Sequence, residues 1–141
     1  MTEFRKAIEL RPDYFEAYTD LAVVLMKQKD SPAAIDLLQR AITMNPRSFE
    51  AYVDLGAAYN DTDRWREGSV AFRKAIEVGR NHPGMYAAHY NLGLSYSHLN
   101  LLELAALEFS QSLQLQPDFA ARQALAQVQN LIQQTPAKNP F

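Results

Sequence analysis

The chain contains no cysteine. That excludes disulfide staples, thiolate metal ligands and a cysteine nucleophile, while leaving the compartment open. Glycine and proline are sparse, at five and seven of 141 residues, which argues against a loop-rich or low-complexity chain. Long apolar runs are missing too. The longest, LAVVLM at 21–26, falls far short of the roughly 20 residues that a membrane helix needs, so no membrane insertion is expected. The amino terminus, MTEFRKAIEL, is charged and lacks the apolar core of a signal peptide. No excess of positive charge exists either. The formal net charge is −2, and without a basic footprint no nucleic-acid partner is expected.

Motifs that carry chemistry are likewise absent. There is no glycine-rich phosphate loop, no G-x-S-x-G and no H-E-x-x-H. One stretch, RNHPGMYAAHYNLG at 80–93, does resemble a site, because it holds two of the three histidines with a Pro-Gly pair and two tyrosines. The three histidines are His82, His89 and His98. A spacing of nine puts His89 and His98 on opposite sides of a continuous helix, and His82 precedes that helix. Three imidazoles without a shared face cannot meet the geometry of a zinc site. No catalytic residue, metal or cofactor is therefore assigned, and the chain is not expected to be an enzyme.

What the chain does have is a repeat. AIELRPDYFEAYTDLAVVL from Ala7 matches AITMNPRSFEAYVDLGAAY from Ala41 at an offset of 34 residues. Tyr18 maps to Tyr52, Leu21 to Leu55, Leu38 to Phe72, Ala41 to Ala75 and Pro12 to Pro46. A third copy around HYNLGLSY, 89–96, fits only at an offset of 37, with Leu92, Gly93, Tyr96, Phe109 and Ser112 in register. Three residues have thus been added within 80–93. Each copy carries two amphipathic helical patterns, such as Tyr18, Leu21, Ala22, Leu25 and then Ala34, Leu38, Ala41, Ile42. Ser31-Pro32 is expected to supply an N-cap and a proline at N1, and Asn100 with Glu103 a capping box. Helix pairs of this size bury their apolar faces only by stacking, as in a solenoid. Ala22, Gly56 and Gly93 form one column of small residues, and Ala34, Gly68 and Ala105 another, so helices are expected to approach closely there.

This pattern resembles the tetratricopeptide repeat family, whose 34-residue signature is an aromatic, then L-G, Y, A, F, A and P. Repeat one, 15–48, has Tyr18, Leu21-Ala22, Leu25, Ala34, Leu38, Ala41 and Pro46. Repeat two, 49–82 with an insertion to 85, has Tyr52, Leu55-Gly56, Tyr59, Gly68, Phe72 and Ala75, with Arg80 where the proline belongs. Repeat three, 86–119, has His89, Leu92-Gly93, Tyr96, Ala105, Phe109, Ser112 and Pro117. A half repeat at 1–12 precedes them. A capping helix at 118–134 is expected to follow, with Phe119, Leu125, Val128, Leu131 and Ile132 covering the last repeat and Arg122, Gln123, Gln127, Gln129 and Gln133 facing water. TPAKNPF, 135–141, reads as a disordered tail. The resemblance implies an all-α fold, a right-handed α-solenoid of stacked antiparallel helix pairs. The inserted residues are expected to lengthen a helix or widen the turn at Pro83-Gly84, and to disturb the stacking of repeat three on repeat two. His89 then becomes an inter-helix residue, and Trp65 a packing residue at the start of a second helix.

The resemblance also implies a function. In this family the first helices of successive repeats line a concave groove that takes a peptide or partner helix. Column by column, the groove residues are Glu16, Thr19, Asp20, Val23 and Lys27, then Glu50, Val53, Asp54, Ala57 and Asp61, then Tyr90, Asn91, Leu94 and His98. Some members grip a C-terminal carboxylate with groove lysine, arginine and asparagine. The corresponding positions here are Thr19, Val23, Asp54, Ala87 and Asn91, of which only Asn91 fits. Others hold peptide backbone with an asparagine column, which here is Asp20, Asp54, Asn91. The expected function is a non-catalytic scaffold for a protein or peptide partner bearing lysine or arginine beside apolar anchors. The alternative is a regulatory or substrate-docking segment of a larger enzyme such as a glycosyltransferase. The half repeat at residues 4–8 could also support self-association. The working compartment is the cytoplasm, with the periplasm left open.

Overall fold

A computed structural model describes residues 1–136. Among them run eight helices and no strand: α1 (Thr2–Leu10), α2 (Phe15–Lys27), α3 (Ser31–Met44), α4 (Phe49–Asp61), α5 (Trp65–Val78), α6 (Met85–His98), α7 (Leu102–Leu115) and α8 (Phe119–Gln134). Each helix packs on its neighbours in sequence, and α4 also touches α2 and α6. The pairs α2–α3, α4–α5 and α6–α7 therefore stack as successive layers of an all-α solenoid. No described helix is long and apolar enough to cross a membrane. The tail expected at 135–141 lies, from residue 137 on, outside the described residues.

Each pair is joined through its column of small residues. Phe72 and Phe109 are almost completely buried. A methyl group added at Gly56 would meet the Phe72 ring at 2.7–2.8 Å, and one at Gly93 would meet Phe109 at 2.7 Å. Repeat one uses the complementary choice, the smaller Leu38 with Ala22, both fully buried in one cluster. Close-packed interiors register even one methylene, so the residue in one column sets the size allowed in the other.

The turns within pairs are alike. Lys29, Asp63 and Asn100 all have φ near +60°. After each, an amide reaches back to the first helix: Asp30 N to Leu25 O at 2.9 Å, Arg64 N to Tyr59 O at 2.9 Å, and Leu101 N to Tyr96 O at 2.8 Å. This is the six-to-one hydrogen bond of a left-handed helix stop. It corrects two expectations. Asn100 is not an N-cap, because its backbone closes α6 instead, and α7 starts after Leu101 with no side-chain cap. Ser31 is the first residue of α3 rather than its cap. Asp30 accepts from the Ala33 amide, and the buried Ser31 hydroxyl donates to Asp61 Oδ2 at 3.1 Å.

The turns between pairs hold a second regularity. The Tyr18 hydroxyl donates to Pro12 O at 2.9 Å and the Tyr52 hydroxyl to Pro46 O at 3.3 Å, each six residues back. Six residues before His89 stands Pro83. Measured back from His89, Pro83, not Arg80, thus occupies the proline position that ends repeat two, and the inserted residues lie ahead of it. They form a turn closed by His82 N to Gly79 O at 2.7 Å with Asn81 at φ 61°, followed by a second closed by Met85 N to His82 O at 3.0 Å. The turn has grown, and α5 keeps the 14-residue length of α3. α6 nonetheless packs on α5 as α4 packs on α3, and the loop wraps Phe49. The His82 ring stacks on Phe49 at 4.0 Å, and Gly79 and Gly84 lie so close to the same ring that side chains there would crowd it.

At the other end, Asp118 caps α8 by accepting from Ala121 N at 2.9 Å, as Ser48 caps α4 by accepting from Ala51 N at 3.1 Å. In that register Arg122, Ala126 and Gln129 stand where α4 has Tyr52, Gly56 and Tyr59, and all three are exposed. Val128 and Ala121 are buried beneath, with Leu125 and Ile132 packed beside Val128. Phe119 and Leu131 depart from expectation, at 76% and 47% exposed; among the described residues no loop folds over Phe119 as 79–84 folds over Phe49.

Glycine 56 provides a stability test. Gly56→Ala gains about 1 kcal/mol of helix propensity but overpacks Phe72, costing roughly 1–3 kcal/mol. Combined with Phe72→Leu, the pair found in repeat one, the two changes should compensate each other by about 1 kcal/mol in a double-mutant cycle. Urea denaturation of the four proteins measures this, and additive costs would show that the columns are uncoupled.

Candidate interaction surface

Helices α2, α4 and α6 bring the sequence-selected residues into three successive columns. In α2, Glu16, Asp20 and Lys27 are exposed, while Thr19 and Val23 are half-buried. The Thr19 hydroxyl is taken up by Glu16 O at 3.0 Å. In α4, Glu50 and Asp61 are exposed, and Val53, Asp54 and Ala57 are half-buried. Val53 packs against the cluster of Phe49, Ala75 and Ala88. Asp61 accepts from Ser31, as described, which ties the end of α4 to the start of α3.

Glu50 is engaged by the inserted loop. The Gly84 amide donates to His82 Nδ1 at 3.0 Å, so the imidazole proton sits on Nε2, which donates to Glu50 Oε1 at 2.9 Å. His82 thus links the junction to the acidic face. Among the described residues, no group of three or more potential ligands could hold a metal ion.

Asp54 differs from its neighbours. Its carboxylate has no hydrogen-bond or salt-bridge partner among the described residues. Burial, and secondly the negative charge of Glu50 one turn earlier, push its pKa from 3.8 to about 6. An anion held at a half-buried position without a cation is costly to the fold.

The third column is occupied internally. Tyr90 and Leu94 pack against the cluster of Ala105, Phe109 and Val128, with the Tyr90 ring 5.7 Å from that of Phe109. The Asn91 amide donates to Ala87 O at 2.9 Å. His98 stacks on Trp65 with centroids 3.7 Å apart and parallel planes. Trp65 is thus held at the start of α5 by a ring from the next repeat.

Two polar pairs went unnoticed in the sequence. His89 Nδ1 donates to Glu108 Oε2 at 2.6 Å, both side chains being largely buried. Asn60 Nδ2 donates to Ser95 Oγ at 2.9 Å, bridging α4 and α6, and the fully buried Ser95 hydroxyl donates on to Asn91 O at 3.1 Å. Both pairs leave a trace as paired departures from the repeat. Glu108 stands in the column of Leu37 and Ala71, while His89 replaces a tyrosine. Ser95 stands in the column of Val24 and Ala58, and Asn60 in that of Met26.

Models of the tetratricopeptide repeat match residues 3–36 and 53–118, between them most of the chain. The chain belongs to the tetratricopeptide repeat family. Solved repeat structures share its fold. MamA superposes with a TM-score of 0.86 at 23% identity, over 92% of this chain and 75% of MamA. The N-terminal domain of stress-induced protein-1 (STI-1) from C. elegans gives 0.75 at 26% identity, over 83% of this chain and 95% of that domain. The first repeat domain of Spaghetti (RPAP3), bound to the HSP90 peptide SRMEEVD, gives 0.80 at 18% identity, over 84% of this chain and 93% of that one. No curated protein sequence matched the chain. In this tetratricopeptide array, then, α2, α4 and α6 are the first helices of the three repeats, and Asp54 lies in the middle one.

Because the folded-state pKa of Asp54 lies above its unfolded value, its contribution favours folding fully below about pH 4 and fades as the pH rises through about 6. Asp54→Asn should therefore stabilise the array at pH 7 by about 1–3 kcal/mol and change it little at pH 4. Urea titrations at the two pH values compare the proteins, and an equal effect at both would locate the shift elsewhere.

Proposed function

We propose that the chain is a non-catalytic protein-interaction module. Its α2–α4–α6 face binds a partner segment carrying lysine or arginine beside apolar side chains. One observation carries this reading: Asp54, half-buried on that face, is an acid with a raised pKa and no cation beside it among the described residues. Perturbed carboxylates of this kind gather at functional sites, and a lysine or arginine from a partner relieves the cost of ionisation. Asp20 in the preceding layer and Glu50 one turn away extend the negative field, which orients an incoming cation and speeds its encounter. Half-buried Val23 and Val53 supply apolar contact beside them.

Comparison with Spaghetti (RPAP3) sharpens the choice of partner. Its repeat domain holds a peptide ending in Glu-Glu-Val-Asp. Here the positions that would receive a terminal carboxylate are Thr19, Val23, Asp54, Ala87 and Asn91, and Asn91 has already committed its amide to Ala87. Aspartate at the centre repels an acidic peptide. A partner of the opposite charge fits.

Synthetic peptides test the reading by fluorescence anisotropy. A Lys/Leu peptide should bind more tightly than its Glu/Leu counterpart at this face, and the affinity should fall as salt rises from about 50 to 300 mM. Asp54→Lys should weaken the Lys/Leu peptide at least about tenfold, equivalent to about 1.4 kcal/mol, with helicity by circular dichroism unchanged. Undiminished binding by the variant would leave the acidic face as ordinary solvated surface.

A further inference from the structure

The second helices present a surface of different character. Leu101, Leu104 and Leu107 project from the start and first half of α7 with 43%, 44% and 53% of their surface exposed, and Val70 of α5 is 55% exposed. The fold does not ask for them. In register, the column of Leu101 holds Asp30 and Arg64, that of Leu104 holds Ala33 and Glu67, and that of Leu107 holds Asp36 and Val70. Repeats one and two are built with mostly charged or small residues at these places, so the leucine stripe of repeat three is not a requirement of stacking. Contiguous exposed apolar surface of this kind marks an interaction site.

The stripe forms one wall of a recess of about 460 Å³ between α5 and α7. Leu101 and Leu104 stand on one side, Arg66, Val70 and Arg73 on the other, with Tyr96 among the lining residues. On α5, Glu67 pairs with Arg64 at 3.0 Å and Glu77 with Lys74 at 3.0 Å, whereas Arg66 and Arg73 form no ion pair among the described residues. Arg66 and Arg73 are seven residues apart, two helical turns, with Val70 between them on the same face. The recess therefore offers a leucine wall facing a valine flanked by two guanidinium groups.

We propose that this outer recess is a second docking site, for an amphipathic helix whose apolar stripe is flanked by aspartate or glutamate. Leucines at helical spacing fill an apolar groove as anchors, and carboxylates on the flank reach Arg66 and Arg73, whose planar forks suit them. The specificity is opposite in sign to that proposed for the α2–α4–α6 face and does not depend on it. A protein with both surfaces joins an acidic helix to a basic segment without bringing the two into contact.

The test uses a synthetic amphipathic helix with leucines at i, i+3, i+4 and i+7 and glutamates on its flanks, beside a twin with lysines in place of the glutamates. Wild-type protein should bind the glutamate helix in preference. Leu104→Glu, which restores the residue type of repeat two, should lower that affinity at least about tenfold, or about 1.4 kcal/mol. The double change Arg66→Glu and Arg73→Glu should shift preference to the lysine helix, and Asp54→Lys should leave binding of the glutamate helix unchanged. Since all three side chains substituted at the recess are at the surface, circular dichroism should show the same helicity throughout. Equal binding of the two helices by wild type, or affinities untouched by both recess variants, would overturn the proposal. So would sedimentation showing that wild type dimerises and Leu104→Glu does not, since the stripe would then be a contact between copies of this chain.

Discussion

Everything in this array depends on how closely two helices of a pair can approach. The approach is set where one side chain of the second helix lies over a position with little or no side chain on the first. Phe72 occupies the space above Gly56, and Phe109 that above Gly93. Leu38 and Ala22 meet the same volume with a smaller knob and a larger floor. Once that distance is fixed, the left-handed stops at Lys29, Asp63 and Asn100 can close each pair with the same hydrogen bond, and the pairs become interchangeable units. Stability then accumulates from neighbours, as in other linear repeats, without a single central core.

Much of this was legible in the sequence, because it is carried by periodicity. The offset of 34, its change to 37, the helix pairs and the columns of small residues are all spacings, and spacings survive substitution of individual residues. Cap chemistry was less legible. Ser31 and Asn100 have the side chains of caps, but in the fold Ser31 has Asp61 as a partner and Asn100 is used for its tolerance of positive φ. A residue type that serves two local structures cannot be assigned without the geometry that chooses between them. The proline that ends repeat two was misplaced for a related reason. Counting from the preceding helix leads to Arg80, whereas the aromatic or imidazole column of the following helix measures back to Pro83.

The surface was legible by position and not by occupancy. Helical phase selects Glu50, Asp54, Asn91 and His98 correctly as residues of first helices, but it does not say what each side chain has already bonded to. Glu50 holds His82, Asn91 holds its own helix and His98 lies on Trp65. Among the described residues Asp54 is left without a partner, which no inspection of the sequence reveals, since its partners could have come from any layer. The polar bridges His89–Glu108 and Asn60–Ser95 teach a complementary lesson. When two columns that meet in the fold both turn polar, each change is unfavourable alone and satisfied by the other, so departures from a repeat are best weighed in pairs.

The two kinds of turn differ in how much change they admit. Within a pair, three unrelated residues adopt the same left-handed conformation, and the connection keeps one length. Between pairs, the chain has absorbed three residues without lengthening α5, and the only compensation is a loop that folds down on Phe49. The solenoid therefore has rigid rungs and adjustable joints. Insertions at a joint alter what is displayed along its edge, here an imidazole beside the acidic face, while the rungs on either side keep their shape. An array built this way can acquire new side chains next to its acidic face while the interior that supports it keeps its packing.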